Sequence, residues 1–161
     1  MITNSLVCWE GLLMKTSAWI EMIEDDQADE DLKKIFDLAR TPHGTLDNVM
    51  RIHSLRPQTM IGHLTLYKSV LHSEDITLPL WFLEVVATFV SLLNKCHYSY
   101  THHWKNAQDL INHAPRSNEI IKALTTREMD SVFSKKEAAL LRYGEKLTVN
   151  VGEMLKKDVD E

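Results

Sequence analysis

Residues 80–103 read LWFLEVVATFVSLLNKCHYSYTHH. The first half, Leu80 to Leu93, is apolar almost all round, the pattern of a helix buried on every side rather than along one stripe. Its polar exceptions are ordered. Glu84, Thr88 and Ser91 fall at i, i+4 and i+7, so they stack on one line along the helix. A carboxylate in that setting must find a partner or hold a proton, because an isolated buried charge is costly. Asn94 interrupts the apolar run as an expected N-cap, which places Cys96 in the first turn of a second helix, where the helix dipole favours a thiolate. Cys96, Ser99 and His103 then sit at i, i+3 and i+7, so thiol, hydroxyl and imidazole share one face.

The rest of the chain is helical in the same terms. Acids from Asp25 to Asp31 precede Leu32, Ile35, Phe36 and Ala39 at helical spacing, giving a surface helix that ends near Arg40. Thr41-Pro42-His43-Gly44 punctuates, and Leu46 to Ile52 is a short helical piece. Pro57 suits the first turn of the next helix, whose apolar face is Met60, Leu64, Tyr67 and Leu71. Thr77 is the expected cap of the central helix, with Pro79 in its first turn. After His103 the helix continues through Ala107, Leu110 and Ile111 until Ala114-Pro115 stops it, and Asn118 to Leu124 forms a further amphipathic piece. Ser134-Lys135-Lys136-Glu137 fits a capping box ahead of Ala138, Leu141 and the ridge Leu140, Tyr143, Leu147. With no period-two alternation and no repeat, the fold class is all-α.

A chain of 161 residues is one domain's worth. The net charge of -5 and the interspersed lysines, arginines and acids leave no electrostatic footprint for nucleic acid. Two distant cysteines, Cys8 and Cys96, make no disulfide framework and fit a reducing compartment, with cytoplasm as the expectation. The Leu78 to Leu93 run is shorter than the roughly 20 residues of a membrane span and carries Glu84, so no membrane partner is expected. The start, MITNSLVCWEGLLMK, has an apolar patch without a basic n-region or cleavage site and is not read as a signal peptide.

Glu84, Ser91, Asn94, Cys96, Tyr98 and His103 stand in the register of an acid followed by S-x-x-N-x-C-x-Y-C-x-x-x-H. In this the chain resembles the AhpD-like alkylhydroperoxidase and carboxymuconolactone decarboxylase superfamily, especially its peroxidase-related branch. Ser99 departs from the pattern, standing where the family has a second cysteine, its peroxide-attacking thiol. The resemblance covers about Trp19 to Val159. It implies an N-terminal extension over residues 1–16 and an AhpD-like domain over 17–161. Relatives continue through further helices, so a terminal helical element is expected to be missing.

What the resemblance implies is a thiol-dependent hydroperoxide reductase, with Cys96 as thiol, Glu84 as general base, His103 as relay and Ser99 as hydrogen-bond donor. Its partners would be a hydroperoxide substrate, an external thiol or dithiol reductant and further copies of the chain in a homo-oligomer. No cofactor is implied. Ser99 cannot form the disulfide that a C-x-x-C enzyme uses to resolve its sulfenic acid, and Cys8, in the leader, is a poor resolving candidate, so reduction is expected to fall to an external thiol. Two other readings stand beside this one. Glu84 and His103 could carry non-redox acid/base catalysis on a lactone acid, with Lys95 and Lys105 as the only nearby cations, or the helices could form a non-catalytic assembly module. Each residue also has a plain packing role: a small buried thiol, a histidine satisfied by a carbonyl, an acid pinning two helices. His97 and His102 are expected to be exposed, Tyr98, Met50, Met60 and Trp81 to pack. The eight histidines show no H-E-x-x-H or C-x-x-C pairing, so no metal is expected.

Overall fold

The computed structural model describes residues 18–160. Cys8 and the extension read over residues 1–16 lie outside them. Every regular element among the described residues is helical, eight α-helices and two short 3₁₀ turns without a strand, so the chain is all-α. No helix among them is long and apolar enough to cross a membrane. The chain divides at Ser73/Glu74 into two compact units.

The first unit holds α1 (Glu30–Ala39), α2 (Asn48–Arg51) and α3 (Pro57–Leu71). Asp29 caps α1 by accepting a hydrogen bond from the Leu32 N–H at 2.8 Å, and Glu30 and Asp31 complement the dipole of its first turn. Pro57 opens α3, as its fixed φ and missing N–H dictate. Leu32, Phe36, Ala39, Leu46, Met50 and Met60 form the core. Arg51 is buried beside them, its guanidinium over the Phe36 ring. It donates to the Ile23 carbonyl at 3.0 Å and pairs with Asp25 at 3.0 Å and Glu24 at 3.3 Å. Buried Ser54 accepts the Ile23 N–H at 2.9 Å, so the incoming segment of chain is fixed from two sides. Burial raises the Asp25 carboxyl, but hydrogen bonds from Arg40 and Arg51 outweigh it and hold the group below its ordinary 3.8.

The second unit holds α4 (Leu80–Leu93), α5 (His97–Ile111), α6 (Ala114–Thr126), α7 (Lys135–Val149) and α8 (Lys157–Asp160). Helices α4 and α5 form an antiparallel hairpin, and α4 also packs on α7. Phe82, Val85, Phe89, Ala107, Ile120, Leu124, Ala138 and Leu141 make the core. Full burial of each large apolar side chain among them is worth roughly 1.5–3 kcal/mol. The capping box of α7 is present in both directions, Ser134 N–H to Glu137 at 2.8 Å and Glu137 N–H to Ser134 at 3.3 Å.

Three boundaries differ from the sequence reading. The N-cap of α4 is Pro79, with no side-chain cap, and Thr77 stays outside. Asn94 is the C-cap of α4 rather than the N-cap of α5. Lys95 then takes a left-handed φ of 54° and Cys96 becomes the N-cap, so Cys96 precedes the first turn instead of lying in it. At the far end, α5 stops because Asn112 turns left-handed at φ 46°, and Ala114-Pro115 opens α6 instead of ending α5. A proline after a helix marks either event, and only the geometry separates them.

Candidate functional site

The polar line of α4 faces α5. Glu84, Thr88 and Ser91 are all buried, at 3%, 0% and 5% exposure, on a helix whose remaining positions are apolar. Opposite them α5 presents Ser99, His103 and Asn106, again at i, i+4 and i+7, running the other way. The two lines meet in two polar rungs. Near the loop, Ser91 Oγ lies 2.9 Å from Ser99 Oγ and 2.7 Å from the Ala87 carbonyl. One to two turns further on, Glu84 Oε2 lies 2.7 Å from His103 Nδ1, and Asn106 Nδ2 donates to Glu84 Oε1 at 3.4 Å. Between the rungs, the Thr88 hydroxyl donates to the Glu84 carbonyl at 2.7 Å and thereby leaves the acid side chain to α5.

A buried carboxylate with both oxygens engaged satisfies the requirement that its burial imposes. Against an ionised Glu84, His103 Nδ1 is the donor. In the neutral ring Nε2 then carries the lone pair. Nε2 has no hydrogen-bond partner among the described residues, yet no buried side-chain nitrogen or oxygen among them lacks one, so Nε2 is reachable from solvent. The His103 side chain is 23% exposed while its partner is 3% exposed. Carboxylate inside, imidazole outside and a free ring nitrogen at the surface is the arrangement of an oriented general base.

Cys96 is brought to neither rung. Its thiol is exposed and makes no hydrogen bond among the described residues. It stands seven positions before His103, about 10 Å along the helix axis, with Ser99 between them. Ser99 is half-buried and turned toward Ser91. His97 and His102 are exposed as expected, and Met50 and Met60 are buried while Trp81 is half-buried. Tyr98, expected to pack inside, lies at the surface, 39% exposed, with its ring 4.4 Å from that of His102. Lys95 and Lys105 are both exposed, and Lys105 is paired with Asp109.

Asn106 is the member of the site that sequence reading missed. The signal was present: with Glu84, Thr88 and Ser91 spaced at i, i+4 and i+7, an antiparallel partner offers the same spacing, and Ser99, His103, Asn106 supply it. No family model and no curated protein matches the chain. The likeness to the AhpD-like superfamily therefore rests on its six motif residues.

Proposed function

We propose that this chain is an AhpD-like, thiol-dependent hydroperoxide reductase that works with one cysteine and an external thiol. The observation carrying it is the 2.7 Å contact between buried Glu84 and half-buried His103, on a helix whose N-cap is an exposed thiol, Cys96. The Cys96 thiolate attacks one oxygen of the hydroperoxide, forming an S–O bond as the O–O bond breaks. The thiolate forms by passing its proton to His103 Nε2 through Ser99 and water, and the same proton returns along that path to the alkoxide, which leaves as an alcohol, while Glu84 stabilises the charge and orientation of the ring. An external thiol then attacks the sulfenic acid, releasing water and forming a mixed disulfide. A second thiol frees Cys96 and leaves as the external disulfide.

In a Cys8→Ala background, brief exposure to an alkyl hydroperoxide should add one oxygen at Cys96, detected by intact mass and peptide mapping. Glu84→Gln should slow that oxidation on the order of 10²-fold at neutral pH, the range expected for loss of acid/base assistance. Equal rates in the two chains would remove the reductase reading.

A second reading is favoured by the separation of Cys96 from the Glu84–His103 pair: acid/base chemistry on a lactone acid that does not use sulfur. Decarboxylation that survives Cys96→Ala and is lost in both Glu84→Gln and His103→Gln would select it.

A further inference from the structure

His53, in the turn after α2, and His63, in the second turn of α3, meet with His53 Nε2 3.0 Å from His63 Nδ1 and their ring planes at 87°. Their protonation pattern follows from the neighbours. The single proton of the Thr59 hydroxyl goes to the Arg56 carbonyl at 2.7 Å, so Thr59 Oγ1 must accept from His53 Nδ1 at 2.8 Å. His53 therefore carries its hydrogen on Nδ1 and offers a lone pair at Nε2. The His63 Nδ1–H fills that lone pair in the absence of anything else.

We propose that His53 Nε2 and His63 Nδ1 form a two-histidine site for a divalent transition-metal cation of the imidazole-preferring class. Two ring nitrogens bound to one such ion at about 2.0–2.1 Å stand about 2.9 Å apart at a right angle and about 3.3 Å apart at the tetrahedral angle. The observed 3.0 Å falls within that interval, and each ring turns by about 35–45° for the two lone pairs to converge on the ion rather than on each other. His63 shifts its proton from Nδ1 to Nε2 to free the second lone pair. No net proton leaves the neutral pair.

The second layer is already built. Ligand histidines are oriented by a hydrogen bond from their other nitrogen, and Thr59, itself anchored on Arg56, provides this for His53. No third His, Cys, Asp or Glu converges with them among the described residues, so water or an exogenous ligand completes the shell and the ion exchanges freely. For such a nitrogen site the affinity order places Cu(II) above Ni(II) and Zn(II). The site lies in the first unit and is independent of the proposed reductase activity.

The test uses the full chain with both cysteines alkylated, titrated with Cu(II) by calorimetry and followed by electron paramagnetic resonance. One equivalent should bind at least about ten-fold tighter than the remaining weak equivalents, with hyperfine structure from two imidazole nitrogens. His53→Gln and His63→Gln should each lose that equivalent, and Thr59→Val should keep the stoichiometry but weaken binding about ten- to hundred-fold. Should either histidine variant misfold, nitrogen-15 shifts of the His53 and His63 rings in the unsubstituted chain on Zn(II) addition decide the matter. An isotherm unchanged by these substitutions, a single coordinated nitrogen, or unmoved ring resonances would overturn the proposal.

Discussion

Arg51 in the first unit and Glu84 in the second are both buried ionisable side chains, and they are satisfied in opposite ways. Arg51 is a permanent cation. It is matched by two carboxylates, a backbone carbonyl and an aromatic face, with its partners at the surface, where Glu24 and Asp25 are 59% and 48% exposed. The guanidinium is donor-only and offers a reactant no lone pair. Glu84 is matched instead by an imidazole, whose ring keeps one nitrogen free toward solvent. The first arrangement fixes a chain segment; the second can hold or hand over a proton. Burial of charge alone therefore does not separate the two regions; the kind of partner and its open nitrogen do.

Replacing both buried groups by apolar side chains of similar size should separate the two roles. Glu84→Leu is expected to slow Cys96 oxidation by about 10²-fold or more, on the order of 2.7 kcal/mol, while urea unfolding shifts by less than about 1 kcal/mol. His103 and Asn106 can turn to water once the acid is gone. Arg51→Met should do the reverse, costing about 2 kcal/mol of stability through the unpaired Ile23 carbonyl and the lost contact with Phe36, with oxidation of Cys96 unchanged. A Glu84→Leu chain destabilised as much as Arg51→Met would erase the distinction.

Ser99→Cys sharpens the second half of the comparison. A thiol at that position stands one turn from Cys96 at the start of α5, within the span of a disulfide. The variant should consume hydroperoxide with a dithiol about ten-fold faster than its parent. Mass spectrometry should find a disulfide between Cys96 and the introduced thiol, and a variant that folds without bridge or gain would count against the relay. The smallest effect is a pH arm in the first unit. Because the folded Asp25 carboxyl lies below its ordinary value, the folded state binds fewer protons there than the unfolded chain. Its contribution is fully present above about pH 4 and is lost as pH falls through the lowered folded value. Urea midpoints at about pH 5 and about pH 3, on either side of the ordinary carboxyl value, should differ less in Arg51→Met than in the parent.

Much of this was readable in the residues. The continuous apolar run fixed the helix from Leu80 to Leu93, and its three polar exceptions marked one line along it where a buried acid needs a partner. The capping box at Ser134 and the proline at Pro57 carry their own local chemistry, so they folded where they were expected. Cys96 was misplaced by one boundary because Asn94 is acceptable at either end of a helix, and only the packing of α5 on α4 decides for the C-cap and forces Lys95 to φ 54°. The Arg51 cluster joins residues 28 positions apart, beyond the reach of any local pattern. The His53–His63 contact likewise depends on how the turn after α2 folds back onto α3.

The short link between α4 and α5 also constrains how this sequence can change length. Adding one residue at Asn94-Lys95-Cys96 while α5 keeps its packing line would rotate every later α5 side chain by about 100°. Ser99, His103 and Asn106 would all leave the α4 stripe at once. Single insertions or deletions there are expected to be absent from functional variants, while those in the turn from Arg127 to Phe133 touch neither rung. A library of one-residue insertions scored for growth under peroxide would map this boundary as a sharp edge at the hairpin tip.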